Sequence, residues 1–477
     1  MEVRGRLWDV VVIGGGISGL SAIHRLRELA PPLQARLLES SSRLGGVLET
    51  VQRDGFLIEG AADNFITNVP WATELCQRIG YGDELLRTND ADRSAFVVRR
   101  GRLEKSKPGY VIMAASQLGT ILRTPILSPL GKLRMALEAA VPRRRRDDDE
   151  SLASFVKRRF GKEVYARLVQ PLVGSIYTGD PERLSVRSTM PRFAEMERQH
   201  GSLIRAMLRQ KRRTQPTDAG SGGARYSMFV APRLGMSDFI EAIRDRLPDD
   251  TIALGTTVTR IQRQDDTYWS LQTNDGTLTA RAIVVATPTR VAASLFDDLD
   301  TGLSAELRAI EYAGCVIVSL GYRRDQLEHA LDGFGVVVPA IEKRKILSCS
   351  FSSVKYAGRA PDGHVLLRVF LGGDYQPELL ALDDQQITAL ATQEVRDLLQ
   401  IHGDPIVTHV ARRPASMPQY YLGHGDRVDR IERRLAALKS IFLAGSAYHG
   451  VGIPNCIHSG EQAAANAVQC LSVEAVA

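Results

Sequence analysis

Cysteine is scarce in this chain and lacks the spacing of a metal site. The five residues Cys76, Cys315, Cys349, Cys456 and Cys470 are odd in number, and no two form a C-x-x-C pair. That argues against a disulfide framework and structural zinc, and for free thiols in a reducing cytosol. Long apolar runs are missing as well. The most suggestive segment, Pro108 to Leu122, is uncharged but only 15 residues long, short of the roughly 20 that a membrane-crossing helix needs. It reads as a buried element or as a surface that touches a bilayer. Glu2, Arg4, Arg6 and Asp9 leave no apolar stretch at the start, so no secretory leader is expected. Charge of one sign is not in large excess: 61 Lys and Arg against 55 Asp and Glu leave +6, spread along the chain. This is too little to argue for a nucleic-acid partner.

What remains is a chain of 477 residues, enough for about three domains at roughly 150 residues each. Its clearest signal is "DVVVIGGGISGLSAIHRLREL", Asp9 to Leu29. Four apolar residues, Val10 to Ile13, run into Gly14-Gly15-Gly16-Ile17-Ser18-Gly19, and Leu20, Ile23 and Leu26 then recur at helical spacing. The pattern predicts a buried strand, a tight turn and a helix. A second strand over Arg36 to Glu39 completes a βαβ unit. In such a G-x-G-x-x-G turn the first glycine allows the bend, the second lets backbone approach a pyrophosphate, and the third lets helix and strand pack closely. The helix N-terminus then faces the negative charge. Glu39 ends the second strand about 20 residues past Gly19, where an acid binds a ribose hydroxyl and disfavours a 2′-phosphate. An adenine dinucleotide, FAD or NAD rather than NADP, follows.

Farther along, Ser151 to Val173 carries apolar residues at helical spacing, and the stretch from Ile112 to Ile204 reads as a helical insertion. "RRRRDDDE", Arg143 to Glu150, reads as a solvated loop whose acidic end precedes the next helix. Arg209 to Arg225 is polar and Gly/Ser-rich and reads as a mobile linker. Thr256 to Pro288 reads as strands joined by turns, with Asn274-Asp275-Gly276 one of them. The end, Ile441 to Leu471, is a strand, a Gly-rich loop and an Ala-rich helix.

After Glu39, "SSRLGGVLET" carries Arg43 and the Gly45-Gly46 pair, which resembles the R-x-G-G segment of the flavin amine oxidase superfamily. Val47 stands where that superfamily usually has a basic residue. Leu443-Ala444-Gly445 with the loop Ser446 to Ile453 can set backbone N–H groups beside a flavin ring, which NAD enzymes do not need. "DGFLIEGAADNF" (54–65), "GSIYTGDPERLS" (174–185), "SMPQYYLGH" (416–424) and "AYHGVGIPNCIHSG" (447–460) extend the likeness over nearly the whole chain. They resemble the oxygen-dependent porphyrinogen oxidases, the protoporphyrinogen and coproporphyrinogen III oxidases. At Gly60-Ala61-Ala62-Asp63 the family's usual Gly-Pro is missing.

The resemblance implies an α/β fold: a Rossmann-like FAD-binding domain, a mixed-sheet substrate domain and a mostly helical insertion. The FAD domain takes residues 1–85, 225–290 and 411–477; the substrate domain takes 86–110 and 291–410. The insertion, with a membrane-associated surface, takes 111–208, and a flexible linker 209–224. Non-covalent FAD is expected on Gly14, Gly15, Gly16, Ile17, Ser18, Gly19, Glu39, Ser40, Arg43, Gly45, Gly46, Gly60, Ala61, Ala62, Asp63, Val258, Gly445, Ser446, Val451, Gly452 and Ile453. The implied reaction is a six-electron oxidation of a porphyrinogen in three flavin cycles, with three O₂ becoming three H₂O₂ in heme biosynthesis. Arg100 is the implied propionate partner, and Thr178-Gly179 the wall over the ring. Arg99, Arg102, Lys105 and Arg192 are further cations that could serve extra propionates. No nucleophile-and-base pair stands out and no metal is expected, so His449, His458 and Tyr448 read as packing or hydrogen-bonding residues. The resemblance further implies a cytoplasmic protein with peripheral membrane contact and a ferrochelatase downstream. Two other readings predict different outcomes. An amine oxidase or carotenoid desaturase would bleach its flavin with amines or polyenes, and a porphyrin-handing scaffold would bind without turnover.

Overall fold

The computed structural model describes residues 7–89, 94–106, 110–111, 114–115, 124–146, 148–213 and 229–474. Strand β1 (Leu7–Ile13), helix α1 (Ile17–Leu29) and strand β2 (Ala35–Leu38) form the βαβ unit, with β1 and β2 parallel. β1 also pairs in parallel with the long strand Gly276–Val285, Val12 facing Val284 and Ile13 facing Val285. That strand pairs in turn with Ile441–Leu443, so the far end of the chain returns to the first sheet. The middle of this seven-stranded sheet is buried on both faces, because Val10–Ile13 and Ala282–Val285 are apolar at every position. Val10 and Val12 pack with Leu20, Ile23 and Leu26 on one side. Val11 and Ile13 pack with Ile283, Phe296 and Leu303 on the other. The long C-terminal helix, Ile453–Glu474, lies so close to α1 that a Cβ at Gly460 would overlap the Ser18 carbonyl.

A second seven-stranded sheet carries the 12-residue strands Tyr312–Arg323 and Val407–Pro418 side by side, then His364–Gly372, Ser348–Phe351, Gly335–Val337, Phe96–Arg99 and Arg102–Lys105. Helix Asp384–Leu399 covers one face through Ile387, Ala391 and Val395. The strand Val407–Pro418 continues past the expected boundary at 410–411, because Tyr312 and Ala313 pair with it as far as Pro418.

Between the sheets in sequence lies a helical stretch that includes Pro129–Ala136, Leu152–Phe160, Gln170–Tyr177, Pro191–His200 and Leu203–Arg213. The last helix runs into the segment expected as a linker, so residues 209–213 are helical; the rest of that linker lies outside the described residues. Most of Pro108 to Leu122 also lies outside them. Ser151 caps the helix Leu152–Phe160, its hydroxyl accepting from the Ser154 amide at 3.1 Å. Glu150 pairs with Arg158 at 2.7 Å, so the acidic end of "RRRRDDDE" packs inward while Arg143, Arg145 and Arg146 stay exposed. All five cysteines are free thiols.

Candidate functional site

The glycine turn after β1 leaves the start of α1 open. Gly16 is the N-cap residue, no side chain caps the helix, and its first turn holds no acid. Its leading N–H groups are therefore available to an anion. Gly19 cannot carry a side chain, because a Cβ there would overlap the Gly14 carbonyl oxygen. At Gly16 the opposite holds: a Cβ would meet no atom within 4 Å. Glu39 sits across the turn, its carboxylate accepting from the Gly15 amide at 2.6 Å and the Ser41 amide at 2.7 Å. Ser40 beside it is exposed. The neighbouring strand enters at Val258, and the Thr256 amide donates to the Glu39 carbonyl at 2.9 Å.

A second loop closes on the first. The Gly45 amide donates to the Gly15 carbonyl at 2.9 Å, and the Arg43 guanidinium donates to the carbonyls of Gly46 (2.7 Å) and Leu48 (3.0 Å). Arg43 thus folds its own loop rather than reaching out. At the C-terminal end the Gly445 amide donates to Ser459 Oγ at 3.0 Å. The Tyr420 hydroxyl donates to the Ser446 carbonyl at 2.6 Å and accepts from the Gly450 amide at 2.8 Å. This ties the loop through Val451, Gly452 and Ile453 to the second sheet.

The segment Gly60–Asp63 is held from behind. Arg413 Nε donates to the Gly60 carbonyl at 3.1 Å, and Arg368 donates to the Ala61 carbonyl. In a trans peptide the following N–H points the opposite way, so the amides of Ala61 and Ala62 face forward. No partner is recorded for the amides of Ala61, Ala62 or Asp63 among the described residues. Asp63 meets Lys355 at 3.0 Å and Arg368 at 3.2 Å. Burial works to raise its pKa, but Lys355, Arg368 and Arg359 outweigh burial and hold it at about 2.

Glu59, one residue before this segment, is 2 % exposed and accepts from the Met236 amide (3.0 Å) and the Thr50 hydroxyl (2.9 Å). Burial is the largest influence and pushes its pKa up to about 7 against those bonds and the nearby Arg368 and Arg359. A raised folded pKa means that this group's stabilisation is complete below the unfolded value near 4.5 and is lost as pH climbs through about 7, in all about 3 kcal/mol. Glu59→Gln, neutral at every pH, is expected to melt close to the wild type at about pH 5 and clearly above it at about pH 8. Thermal melts at the two pH values check this.

The other expected residues fall as follows. Thr178 is buried in a left-handed conformation (φ 51), its carbonyl accepting from the Asp374 amide at 2.9 Å. Gly179 lies against Gln419, whose amide donates to the carbonyls of Tyr177 (2.8 Å) and Met417 (3.0 Å). Arg100 does not turn inward. It occupies the tip of the hairpin between Phe96–Arg99 and Arg102–Lys105, exposed, with φ 50. Strand alternation stops at Arg99, and the turn leaves Arg100 facing solvent. Arg99 donates to the Pro125 carbonyl at 2.6 Å, Lys105 pairs with Asp332, and Arg102 and Arg192 are exposed. His449 pairs with Glu432 and His458 stacks on Trp71 at 4.0 Å, as packing residues do. Sequence reasoning missed Lys355, Arg368 and Arg413, which converge on Gly60–Asp63 from hundreds of residues away.

An uncapped helix terminus, an acid across the glycine turn and a forward-facing row of amides make a polar set suited to a dinucleotide with a polar ring system. A family profile described as flavin containing amine oxidoreductase matches residues 17–468. The chain belongs to the flavin-containing amine oxidoreductase family. Its cofactor is a flavin, and the residues above fit one. Among this family's curated proteins the chain is 31% identical to the Coproporphyrinogen III oxidase of Bacillus subtilis (strain 168), covering 97% of this chain and 98% of that protein. It is 28% identical to the chloroplastic Protoporphyrinogen oxidase 1 of Spinacia oleracea over 97% of this chain and 84% of that one. The solved structure "Putative protoporphyrinogen oxidase" from Exiguobacterium sp. 255-15 matches with a TM-score of 0.84 at 28% identity, covering 98% of this chain and 99% of that one. A putrescine oxidase matches at 14% identity with a TM-score of 0.67, a likeness of fold alone.

Proposed function

We propose that this chain is a cytoplasmic FAD-dependent oxidase that converts coproporphyrinogen III into coproporphyrin III, using O₂. The observation that carries the reading is where the amide row leads: Asn64, next to Asp63, lines an apolar cavity of about 230 Å³ walled by Phe229, Phe334, Val336 and Cys349. A hydrophobic space opening beside a flavin loop suits the apolar edge of a macrocycle with few polar handles. The 31% identical relatives from Bacillus subtilis and Propionibacterium freudenreichii, both named coproporphyrinogen III oxidases, support this substrate over protoporphyrinogen.

The balanced reaction removes six hydrogens from the porphyrinogen and reduces three O₂ to three H₂O₂. Bound FAD would supply the hydride acceptor in each of three cycles. The protein's own part is to hold and exclude. The first helix terminus and Gly45-Gly46 bind the pyrophosphate, Glu39 the ribose, and the amides of Ala61 to Asp63 the polar edge of the ring. Asp63 stays ionised between two cations and Tyr448 is buried with its pKa raised by burial, so neither is suited to move protons at neutral pH. Positioning therefore dominates the rate. Thr178-Gly179, braced by Gln419 and the Asp374 turn, is the wall that sets ring distance. A Cβ at Gly179 would overlap Gln419 Oε1 and displace that brace. Gly179→Ala is expected to lower kcat/KM about tenfold, roughly 1.4 kcal/mol, with flavin content unchanged.

Peripheral membrane contact is part of the proposal. Among the described residues no helix is long and apolar enough to cross a membrane. However, Leu130, Leu133 and Leu137 are 77%, 58% and 52% exposed, at spacings that share one helix face, and the exposed Arg143, Arg145 and Arg146 follow shortly in the chain. That combination suits an anionic lipid surface. A downstream ferrochelatase would consume the porphyrin product. The test of the function is aerobic turnover with both porphyrinogens: three H₂O₂ per porphyrin formed, with coproporphyrinogen III the faster substrate, is expected. Turnover of neither would overturn the reading.

A further inference from the structure

We propose that Lys355 receives a carboxylate of the porphyrinogen inside the apolar cavity and thereby selects the substrate with more propionates; the inference rests on the function proposed above.

The cavity of about 230 Å³ is smaller than the roughly 300–1,000 Å³ of pockets that hold whole ligands. It suits one pyrrole edge with its side chain rather than the macrocycle. Of the described residues lining it, Lys355 alone is charged. The other described residues of its walls are apolar or neutral, and among the described residues the buried Ser350 hydroxyl has no partner. A hydroxyl and an ammonium without enough acceptors form a subsite for a carboxylate.

Charge balance points the same way. Lys355 meets Asp63 at 3.0 Å, but Asp63 is shared with Arg368 at 3.2 Å. The buried Arg359 stands behind them, its guanidinium bound to the carbonyls of Arg233 (2.8 Å) and Pro232 (2.6 Å). The second carboxylate of the cluster, Glu59, has its pKa pushed up to about 7 by burial and carries only part of a charge near neutral pH. Three cations therefore face one full anion in a low-dielectric setting, and an ammonium has three donors of which Asp63 takes one. A second carboxylate arriving through the cavity would complete the set. Coproporphyrinogen III has four propionates. Protoporphyrinogen IX has two, with uncharged vinyl groups at the other two positions, and these leave the ammonium unanswered.

The test pairs Lys355→Met, similar in length but uncharged, with Lys355→Arg. Steady-state kinetics on both porphyrinogens and quenching of porphyrin fluorescence by coproporphyrin III and protoporphyrin IX are measured on holoenzyme of matched flavin absorbance. The expected result for Lys355→Met is a KM for coproporphyrinogen III and a Kd for coproporphyrin III raised about tenfold more than the corresponding protoporphyrin values, with Lys355→Arg close to wild type. Equal changes for both substrates, or none, would overturn the proposal. A wild type that oxidises neither porphyrinogen would overturn the function instead, and the binding measurements would still decide the role of Lys355.

Discussion

Gly16→Val is expected to purify in wild-type yield and to emerge colourless. Gly16 is the N-cap residue of α1 with φ −71 and ψ 176, an extended conformation open to any residue. Its Cβ would point into space that no protein atom enters within 4 Å. The fold therefore has no reason to object, and the methyl groups take the place that a pyrophosphate needs against the helix terminus. Overpacking costs of about 1–3 kcal/mol correspond to flavin affinity lowered about fivefold to somewhat over a hundredfold. Gly19→Ala makes the informative contrast, because its Cβ overlaps the Gly14 carbonyl; it is expected to lose yield and flavin together. Circular dichroism and flavin absorbance per chain separate the two effects.

Arg159→Met is expected to destabilise the helical part by about 3–5 kcal/mol, the usual cost of stranding one member of a buried ion pair. Arg159 and Glu138 are both 0% exposed and hydrogen-bonded to each other. Glu138 also accepts from Ser202 Oγ (2.6 Å) and from the amides of Leu203 (3.0 Å) and Ile204 (3.1 Å), so it fastens the start of the helix Leu203–Arg213. Without the guanidinium the carboxylate stays buried among donors too few to replace a full charge. A Tm lowered by roughly 10 °C follows, with the flavin loops intact. Replacing both partners by apolar residues should recover most of the loss, because an unpaired charge is what costs. A Tm unchanged in Arg159→Met would contradict the account.

The glycine turn and the acid facing it were legible in the sequence because their parts are local. A strand, three spaced glycines, a helix and an acid about twenty residues on are contiguous, and the structure sets Glu39 on the Gly15 amide. The C-terminal loop was legible for the same reason, as a glycine-rich break between strand and helix. The pocket was less so. Arg100 follows a strand whose alternation implies an inward side, yet the hairpin turns at that residue. Lys355 meets Asp63 across 292 residues of chain, and nothing near it in sequence marks it as a site residue. The strand Val407–Pro418 was obscured by Arg412, Arg413 and Pro414. In the structure the two arginines diverge, Arg412 to Asp384 at 2.6 Å and Arg413 to Glu49 at 2.8 Å, as strand alternation requires. The polar end of the helix Leu203–Arg213 resembled a linker because the packing residues Leu203, Ile204 and Met207 all precede it.

The most direct measurement is anaerobic mixing of the yellow holoenzyme with coproporphyrinogen III. Rapid loss of the flavin colour, followed by its return and by porphyrin fluorescence when air is admitted, is the predicted result. A flavin that stays yellow with both porphyrinogens, yet bleaches with an amine or a polyene, would contradict the account.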